Sequence, residues 1–266
     1  MTILQILILI LTAVLGLIAA LIVRKRLRRS QALAQPFLEQ WKVVLRQNVP
    51  VYGRLSPAEQ QQLRSLIQQF LYDKSFEGCG GLELTDEIRV TIAGQACLLL
   101  LNRPVSCYPK LSSVLVYPST YVARDPNGDE SVRLGESWQT GAVVLAWDSA
   151  RRGAANFADG RNVVLHEFAH QLDQEDGSGD GAPILGSASS YAPWAQVFSK
   201  EFVRHCERVA RGKKTVLDDY GATNPAEFFA VATETFFEKP RQLSTHHYTL
   251  YAELRAFYRV DPLDWT

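Results

Sequence analysis

The first stretch of the chain is apolar on every side. Residues 3 to 23 (ILQILILILTAVLGLIAALIV) contain no charge, and their only polar side chains are Gln5 and Thr12. A helix of this length spans roughly 30 Å, the thickness of the hydrocarbon core of a bilayer. The pattern therefore predicts a transmembrane anchor over residues 3 to 23. The basic side chains that follow it directly are Arg24, Lys25, Arg26, Arg28 and Arg29.

The order of apolar and basic residues also predicts the orientation of this anchor. A cleavable signal peptide carries its charges before a shorter apolar run, whereas here the charges follow a long one. Since basic residues favour the cytoplasmic side, we expect a single-pass protein of the inner (cytoplasmic) membrane. A basic juxtamembrane linker would occupy residues 24 to 35, and residues 36 to 266 would form one domain in the cytoplasm. One alternative is a buried soluble helix, which uniform apolarity disfavours. The other is a secreted protein from which residues 1 to 23 are removed.

The rest of the chain contains hydrophobic patterns typical of helices and others typical of strands. Ser56, Pro57 and Glu59 have the order of an N-cap, a first helical residue and a capping-box partner, so a helix should begin there. The apolar run 88–101 is too short to cross a membrane and predicts a buried core helix. Residues 124–141 are rich in Gly, Asp, Asn and Ser and predict a loop. The remaining predicted elements are strands at 114–117 and 142–147 and helices at 57–72, 162–174, 192–211, 225–238 and 247–259.

Helices around a small sheet, in no regular alternation, predict an α+β fold. Composition narrows the function classes. The 28 basic and 28 acidic side chains of the 266 residues cancel, so no overall field attracts nucleic acid. The cysteines show no CxxC pair, which favours reduced thiols over a cysteine-based zinc site. They are Cys79, Cys97, Cys107 and Cys206.

Residues 166 to 170 read HEFAH, the HExxH pattern of a metal-binding helix. Side chains four residues apart share one helix face, so His166 and His170 can present nitrogen atoms to one Zn²⁺. Glu167 is then placed to take a proton from a water on the metal without ligating the metal. The segment is otherwise apolar, and chance rarely produces this pattern in a chain with five histidines. It predicts a catalytic zinc site with Glu167 as general base.

Such a site needs a third protein ligand. Asp176 has the spacing of a metzincin ligand, but Asp173 replaces the glycine that metzincins carry, so Asp173 is better interpreted as a partner that fixes the His170 imidazole. Downstream, a helix that begins at Asn224-Pro225 carries Glu227 and Glu234 two turns apart on one face. Glu227 also occupies a capping-box position. These observations leave Glu227 and Glu234 open as alternatives for the third ligand.

Several motifs resemble those of the Mlc titration factor A family of zinc metallopeptidases, over residues 36 to 266. The resemblance implies a zincin-like core with His166 and His170 as ligands, Glu167 as base and Glu227 as third ligand, which leaves Glu234 as a supporting carboxylate. It also implies aminopeptidase activity and a transcriptional repressor as partner. The motifs that carry it are FLYDKSFEG, LTDEIRVTIAGQACLLLLN, GESWQTGAVVLAW, NVVLHEFAHQLDQEDG, NPAEFFAVATETFFEKP and FYRVDP.

The family core is similar to that of lethal-factor-type zinc peptidases, in which a tyrosine seven residues before the ligand glutamate stabilises the oxyanion. Tyr220 has that spacing from Glu227; a packing tyrosine is the alternative. The strand at 142–147 is expected to align a substrate by strand addition. Adjacent residues point in different directions, so His246 and His247 are expected to be an exposed pair without a metal.

These observations predict a membrane-anchored peptidase with one Zn²⁺ per chain, acting on a peptide or protein substrate. The alternative is a binding protein that sequesters a transcriptional regulator.

Overall fold

The computed structural model describes residues 2–104, 106–124, 130–133, 135–138 and 140–265. The described chain divides into two units, residues Met1–Phe37 and Leu38–Thr266. Their structures are taken in turn.

The first unit contains one helix, α1 (Ile3–Leu33). Thr2 caps it by accepting a hydrogen bond from the Gln5 backbone, and the Gln5 side chain accepts one from the Thr2 backbone. By length and composition α1 can cross a membrane, a test that a signal sequence also passes. The helix continues through the basic residues after position 23, where the sequence predicted a linker.

The second unit is mixed and mostly helical, as the predicted α+β class requires. Ser56 and Glu59 form the predicted capping box at the start of the helix Pro57–Asp73, and the predicted core helix at 88–101 is found, buried, over Asp86–Leu98. The helices are α2 (Glu39–Asn48), α3 (Pro57–Asp73), α4 (Asp86–Leu98), α5 (Trp147–Ala155), α6 (Val163–Asp173), α7 (Tyr191–Ala210), α8 (Pro225–Glu238), α9 (Pro240–His246) and α10 (Tyr248–Tyr258).

A small mixed sheet supports these helices. Its order is β1-β2-β6-β5, with β1, β2 and β6 parallel and β5 antiparallel to β6. A separate two-stranded antiparallel sheet joins β3 and β4. The strands are β1 (Ser75–Gly78), β2 (Ser113–Tyr117), β3 (Tyr121–Arg124), β4 (Glu130–Arg133), β5 (Gly135–Trp138) and β6 (Ala142–Ala146).

The prediction of a loop over residues 124–141 was wrong where β4 and β5 lie. These strands are four residues each and poor in apolar side chains, so periodicity does not reveal them. Pairing with a neighbouring strand defines them instead: Gly135–Trp138 pairs antiparallel with the apolar strand β6. Residues 125–129, 134 and 139 of that range lie outside the described residues.

Aromatic packing fixes the two helices that matter most for the site. Phe168 of α6 packs against Tyr108 and Phe70, with ring centroids 4.9 and 5.6 Å apart. Phe229 of α8 packs against Trp194 of α7, with centroids 5.9 Å apart. Large apolar side chains buried in this way fix the angle of each helix about its own axis. The polar face of each helix therefore points in a fixed direction.

Candidate metal centre

Helix α6 begins at a well-formed cap. Asn162 is the N-cap residue, and its side-chain oxygen accepts hydrogen bonds from the backbone N–H groups of Val164 and Leu165, each at 3.1 Å. The apolar face of α6 is buried, which leaves His166 and His170, one turn apart, on the opposite face. Their ring centroids are 4.8 Å apart.

Helix α8 brings a carboxylate to the two histidines. Asn224 caps α8 by accepting from the Glu227 N–H at 3.0 Å. The Glu227 side chain points at α6, with its Oε2 atom 2.9 Å from His166 Nε2 and 3.2 Å from His170 Nε2. The two Nε2 atoms are 3.2 Å apart. Three donor atoms therefore face one point, and His166, His170 and Glu227 are named here the α6–α8 cluster.

The spacing of these donors fits a zinc ion. Zinc bonds to nitrogen and oxygen at about 2.0–2.1 Å in tetrahedral sites, which places neighbouring ligand atoms roughly 3.3 Å apart. The separations in the α6–α8 cluster are 2.9 to 3.2 Å. Two imidazoles and one carboxylate are also a known donor set for catalytic zinc, which keeps the fourth position open. The residues present therefore fit such an ion.

Charge and burial are balanced within the cluster. Burial opposes ionisation of Glu227, but hydrogen bonds with His166 and His170 outweigh it and lower the pKa of Glu227 to about 2. Burial likewise opposes protonation of His166, yet the charge of Glu234 and the contacts with both glutamates hold the pKa of His166 well above its usual range. The metal-free cluster is thus a strongly paired charged group.

Glu167 lies on the same helix beside the cluster. It is buried, and burial raises the pKa of its carboxyl to about 7. Gly135 of β5 makes room for it, because a Cβ atom there would come within 2.7 Å of Glu167 Oε1. The carboxyl therefore sits against a strand that has no side chain at the point of contact.

Glu234 lies on the other side of His166. Its Oε1 atom is 2.8 Å from His166 Nδ1, and its Oε2 atom accepts a short hydrogen bond from the Asn162 N–H. The two glutamates that the sequence left as alternatives thus contact opposite nitrogens of one imidazole: Glu227 faces Nε2 and Glu234 faces Nδ1.

Asp173 is buried at the last turn of α6. Both of its oxygens accept from the Gly181 N–H, at 3.0 and 2.9 Å, and burial raises its pKa to about 6. Its predicted contact with the His170 imidazole stays a prediction. Asp176, the metzincin alternative, accepts from Ser178 and is not part of the α6–α8 cluster.

Tyr220 lies in a short 3-10 turn (Asp219–Ala222) next to the start of α8. Its ring centroid is 5.9 Å from that of His166, and the residue is 55% exposed. Asp218 accepts from the Tyr220 N–H at 3.0 Å and pairs with Arg161 Nη2 at 2.7 Å. The turn is therefore tied to the residue that precedes the cap of α6.

A cleft of about 1310 Å³ opens over the α6–α8 cluster. The residues that line it include His166, Glu167, His170, Tyr220, Glu227 and Glu234. The site is therefore accessible to a molecule larger than water.

The strand expected to align a substrate is not the one predicted. Strand β6 (Ala142–Ala146) pairs with β2 on one side and β5 on the other, so it has no edge to which a peptide can add. The edge strand next to β6 is β5, and its residues Gly135, Glu136 and Ser137 line the cleft. The prediction for residues 142–147 was wrong because β5 was not recognised.

Sequence reasoning also missed two buried residues behind the cluster. Glu238, at the end of α8, accepts from the N–H groups of Gly160 and Arg161 at 2.8 and 3.1 Å and from Asn162 Nδ2 at 3.0 Å. A signal was present, because Glu238 follows Glu234 by four residues on an apolar helix and Asn162 precedes an apolar run.

Comparison with known proteins adds a family to this geometry. Residues 23–259 match the family described as glucose-regulated metallo-peptidase M90. The chain is 42% identical over 245 residues to an uncharacterized protein of Synechocystis sp., covering 89% of each chain. It is 33% identical over 233 residues to Mlc titration factor A of Klebsiella pneumoniae (strain 342), covering 81% of this chain and 84% of that protein. It is also 31% identical over 237 residues to Mlc titration factor A of Serratia proteamaculans, covering 85% and 88%.

Proposed function

The chain belongs to the glucose-regulated metallo-peptidase M90 family, and we propose that it hydrolyses peptide bonds with one zinc ion held by His166, His170 and Glu227. The observation that carries the proposal is the convergence of three donor atoms, 2.9 to 3.2 Å apart, beneath an open cleft. The α+β domain is then a zincin-like core, with α6 as its active-site helix.

Bound zinc supplies Lewis-acid chemistry, because it lowers the pKa of a water that it coordinates and polarises a carbonyl group. The residues of the chain handle the protons. Glu167 takes a proton from the attacking water and delivers it to the leaving nitrogen. The buried position of Glu167 beside the α6–α8 cluster suits this exchange, because a general base must lie within hydrogen-bond reach of the water that it deprotonates.

The surrounding side chains orient these groups. Glu234 accepts a hydrogen bond from His166 Nδ1, which leaves the Nε2 lone pair directed at the cluster centre. Tyr220 donates its hydroxyl hydrogen to the oxyanion that develops on the carbonyl oxygen. Its position beside His166 in the cleft supports this role.

Substitution of Glu167 by Gln tests the mechanism. The variant should bind zinc as the wild type does, while kcat/KM falls by at least about a hundredfold, because the proton acceptor is lost. The matched control is Glu207→Gln, an exposed glutamate on α7, which should keep full activity. Full hydrolysis by the Glu167 variant would overturn the mechanism.

We also propose an aminopeptidase specificity. The carboxylates of Glu136 and Asp180 line the same cleft, and a carboxylate is the natural partner of a peptide's N-terminal ammonium group. Cleavage of a free peptide should stop when its N-terminus is acetylated. Equal cleavage of the free and acetylated peptides would identify an endopeptidase.

Helix α1 is proposed to anchor the domain, residues 36 to 266, to the inner membrane on its cytoplasmic side. The apolar length of α1 and the basic residues after position 23 support this orientation. Protease protection in spheroplasts is the test. The domain should resist external protease until the membrane is opened, whereas digestion in intact spheroplasts, or a mature chain lacking residues 1 to 23, would overturn the proposal.

A second candidate function is supported by the name of the relatives, Mlc titration factor A: sequestration of a transcriptional repressor such as Mlc. A His166→Ala, His170→Ala double variant separates the two functions. Sequestration without catalysis predicts that the repressor co-purifies equally with the double variant and the wild type, and that neither hydrolyses peptides.

A further inference from the structure

Behind the metal centre, every polar group of Asn162 forms a hydrogen bond. Its carbonyl oxygen accepts from the His166 N–H at 2.9 Å, and its own N–H donates to Glu234. Its side-chain oxygen caps the helix, and its Nδ2 atom donates to Glu238 Oε1 at 3.0 Å. Asn162 is therefore bonded directly to the backbone of the first histidine and to the helix that carries Glu227.

Helices α6 and α8 run antiparallel across the site. The start of α6 contacts Glu234 and Glu238 near the end of α8, whereas His170, farther along α6, contacts Glu227 near the start of α8. A shift of the first turn of α6 relative to α8 would therefore change the separation of His166 from Glu227. Glu234 and Glu238 both oppose such a shift, and Glu238 does so from the end of α8 that is farther from Glu227.

Glu238 is buried and accepts three hydrogen bonds. One oxygen accepts from Gly160 and Arg161, and the other accepts from Asn162. Glu238 is 6% exposed and Asn162 is fully buried. Buried polar groups that are fully paired rigidify their surroundings, because each broken bond would leave an unsatisfied group away from water.

We infer that Glu238 is a positioning residue for the metal centre: through residues 160–162 it fixes the start of α6, and thereby sets His166 at the distance from Glu227 that zinc requires. The inference rests on the proposed function, because it assigns a role relative to the proposed zinc ligands. Glu238 itself does not ligate the metal, and it is not among the residues that line the cleft.

The test is the zinc affinity of a Glu238→Gln variant, measured with a chelator-buffered zinc series on the full chain in detergent. Glutamine has the shape of glutamate but only one accepting atom, so it cannot accept at both ends. Burial raises the pKa of Glu238 to about 8, and only the ionised carboxyl accepts hydrogen bonds at both oxygens without donating one. The measurement is therefore made at pH 9. Glu207→Gln, on the exposed surface of α7, is the matched control.

We expect the zinc dissociation constant of the Glu238 variant to rise about tenfold, the lower end of what loss of a supporting partner costs, while the control equals the wild type. A dissociation constant within twofold of the wild type would overturn the inference, even if the melting temperature falls, because Glu238 would then serve folding alone.

Asn162→Ser provides a second variant should Glu238→Gln fail to fold. Serine caps a helix about as well as asparagine but has no Nδ2 donor for Glu238. Zinc affinity should again fall about tenfold, and an unchanged affinity would sink the inference. A wild type that binds no zinc would instead contradict the proposed function, so the two failures are distinguishable.

Discussion

Two buried histidine–glutamate groups in this protein have different architectures. In the α6–α8 cluster, two imidazoles and one carboxylate converge beneath a cleft. On α7, Glu201 Oε2 meets His247 Nδ1 at 2.7 Å, and neither residue lines the cleft. We call Glu201 and His247 the α7 pair. His205 lies one turn along from Glu201, but its Nε2 atom contacts the Asp218 carbonyl oxygen at 3.1 Å.

The difference shows what a candidate metal centre requires beyond the right residue types. The α7 pair is as buried as the α6–α8 cluster, with side chains 6% and 8% exposed, and its contact is as short. It joins one histidine and one glutamate, and the other Glu201 oxygen lies 3.6 Å from Arg204 Nη1. Among the described residues, the α7 pair belongs to no group of three possible metal ligands. Convergence of three donors and access from solvent distinguish the α6–α8 cluster.

The largest expected contrast is in zinc affinity. Glu227→Ala removes one of three ligands and should weaken zinc binding by more than the 10–100-fold that loss of a supporting carboxylate costs. Glu201→Ala should leave one zinc per chain, because the α7 pair contributes no ligand. Metal content after dialysis against buffered zinc measures both. If zinc is lost from Glu234→Ala and kept by Glu227→Ala, Glu234 is the third ligand.

The pH dependence of zinc-induced stabilisation is the next contrast. In the metal-free protein, the pKa of His166 lies well above its usual range, and burial raises the pKa of Glu167 to about 7 and of Asp173 to about 6. Raised pKa values favour the folded state at low pH, so the free energy of unfolding should fall as the pH rises from about 4 to 8. Zinc requires deprotonated ligands and binds more tightly as the pH rises.

At a fixed zinc concentration, the rise in melting temperature on adding zinc should therefore grow between pH 5.5 and 8. It should reach about 10 °C where that concentration is a thousandfold above the dissociation constant. Scans with and without EDTA measure it. A zinc-induced shift that stays constant over this range would show that His166 is not protonated in the metal-free protein.

The α7 pair should respond in the opposite direction. The hydrogen bond with His247 lowers the pKa of Glu201, so its contribution to stability is present above the ordinary value and is lost as the pH falls. Glu201→Gln should cost about 1–3 kcal/mol at pH 7 and less below about pH 4.5. Urea unfolding measures the difference, with Glu207→Gln as an exposed control that should lie within about 0.5 kcal/mol of the wild type. Equal loss at pH 7 and pH 3 would contradict this account.

The smallest expected effect is at the rim of the cleft. Arg161 pairs with Asp218, which holds the Tyr220 N–H, but Arg161 is 76% exposed in its side chain. Exposed pairs contribute less than about 1 kcal/mol, so Arg161→Ala should lower kcat/KM a few-fold without loss of zinc. High salt should remove the difference by screening the wild-type pair. Arg211→Ala, which breaks another exposed pair, should change neither parameter.

Local sequence determined most of the helices and their ends, although α2, α5 and α9 were not predicted. The predicted helix over 162–174 is confirmed as Val163–Asp173, and the predicted start at Pro225 is confirmed. The reason is that caps and periodicity act within a few residues. The same locality placed His166 and His170 on one face. Reasoning from neighbours in the sequence was wrong for His247, which was expected to be exposed. His247 is buried because α7 packs against it.

Only the tertiary structure decided which groups meet. Glu227 and Glu234 are two turns apart on one face of α8, and the local residues left both open as the third ligand. The antiparallel approach of α6 directs Glu227 to Nε2 and Glu234 to Nδ1 of His166. Strand β5 likewise exists because β6 pairs with it, and Glu238 acquires its partners from a loop 76 to 78 residues away along the chain. Periodicity and caps are properties of neighbours in sequence, whereas convergence of donors requires two buried helices to be locked in one rotation and register by their packing.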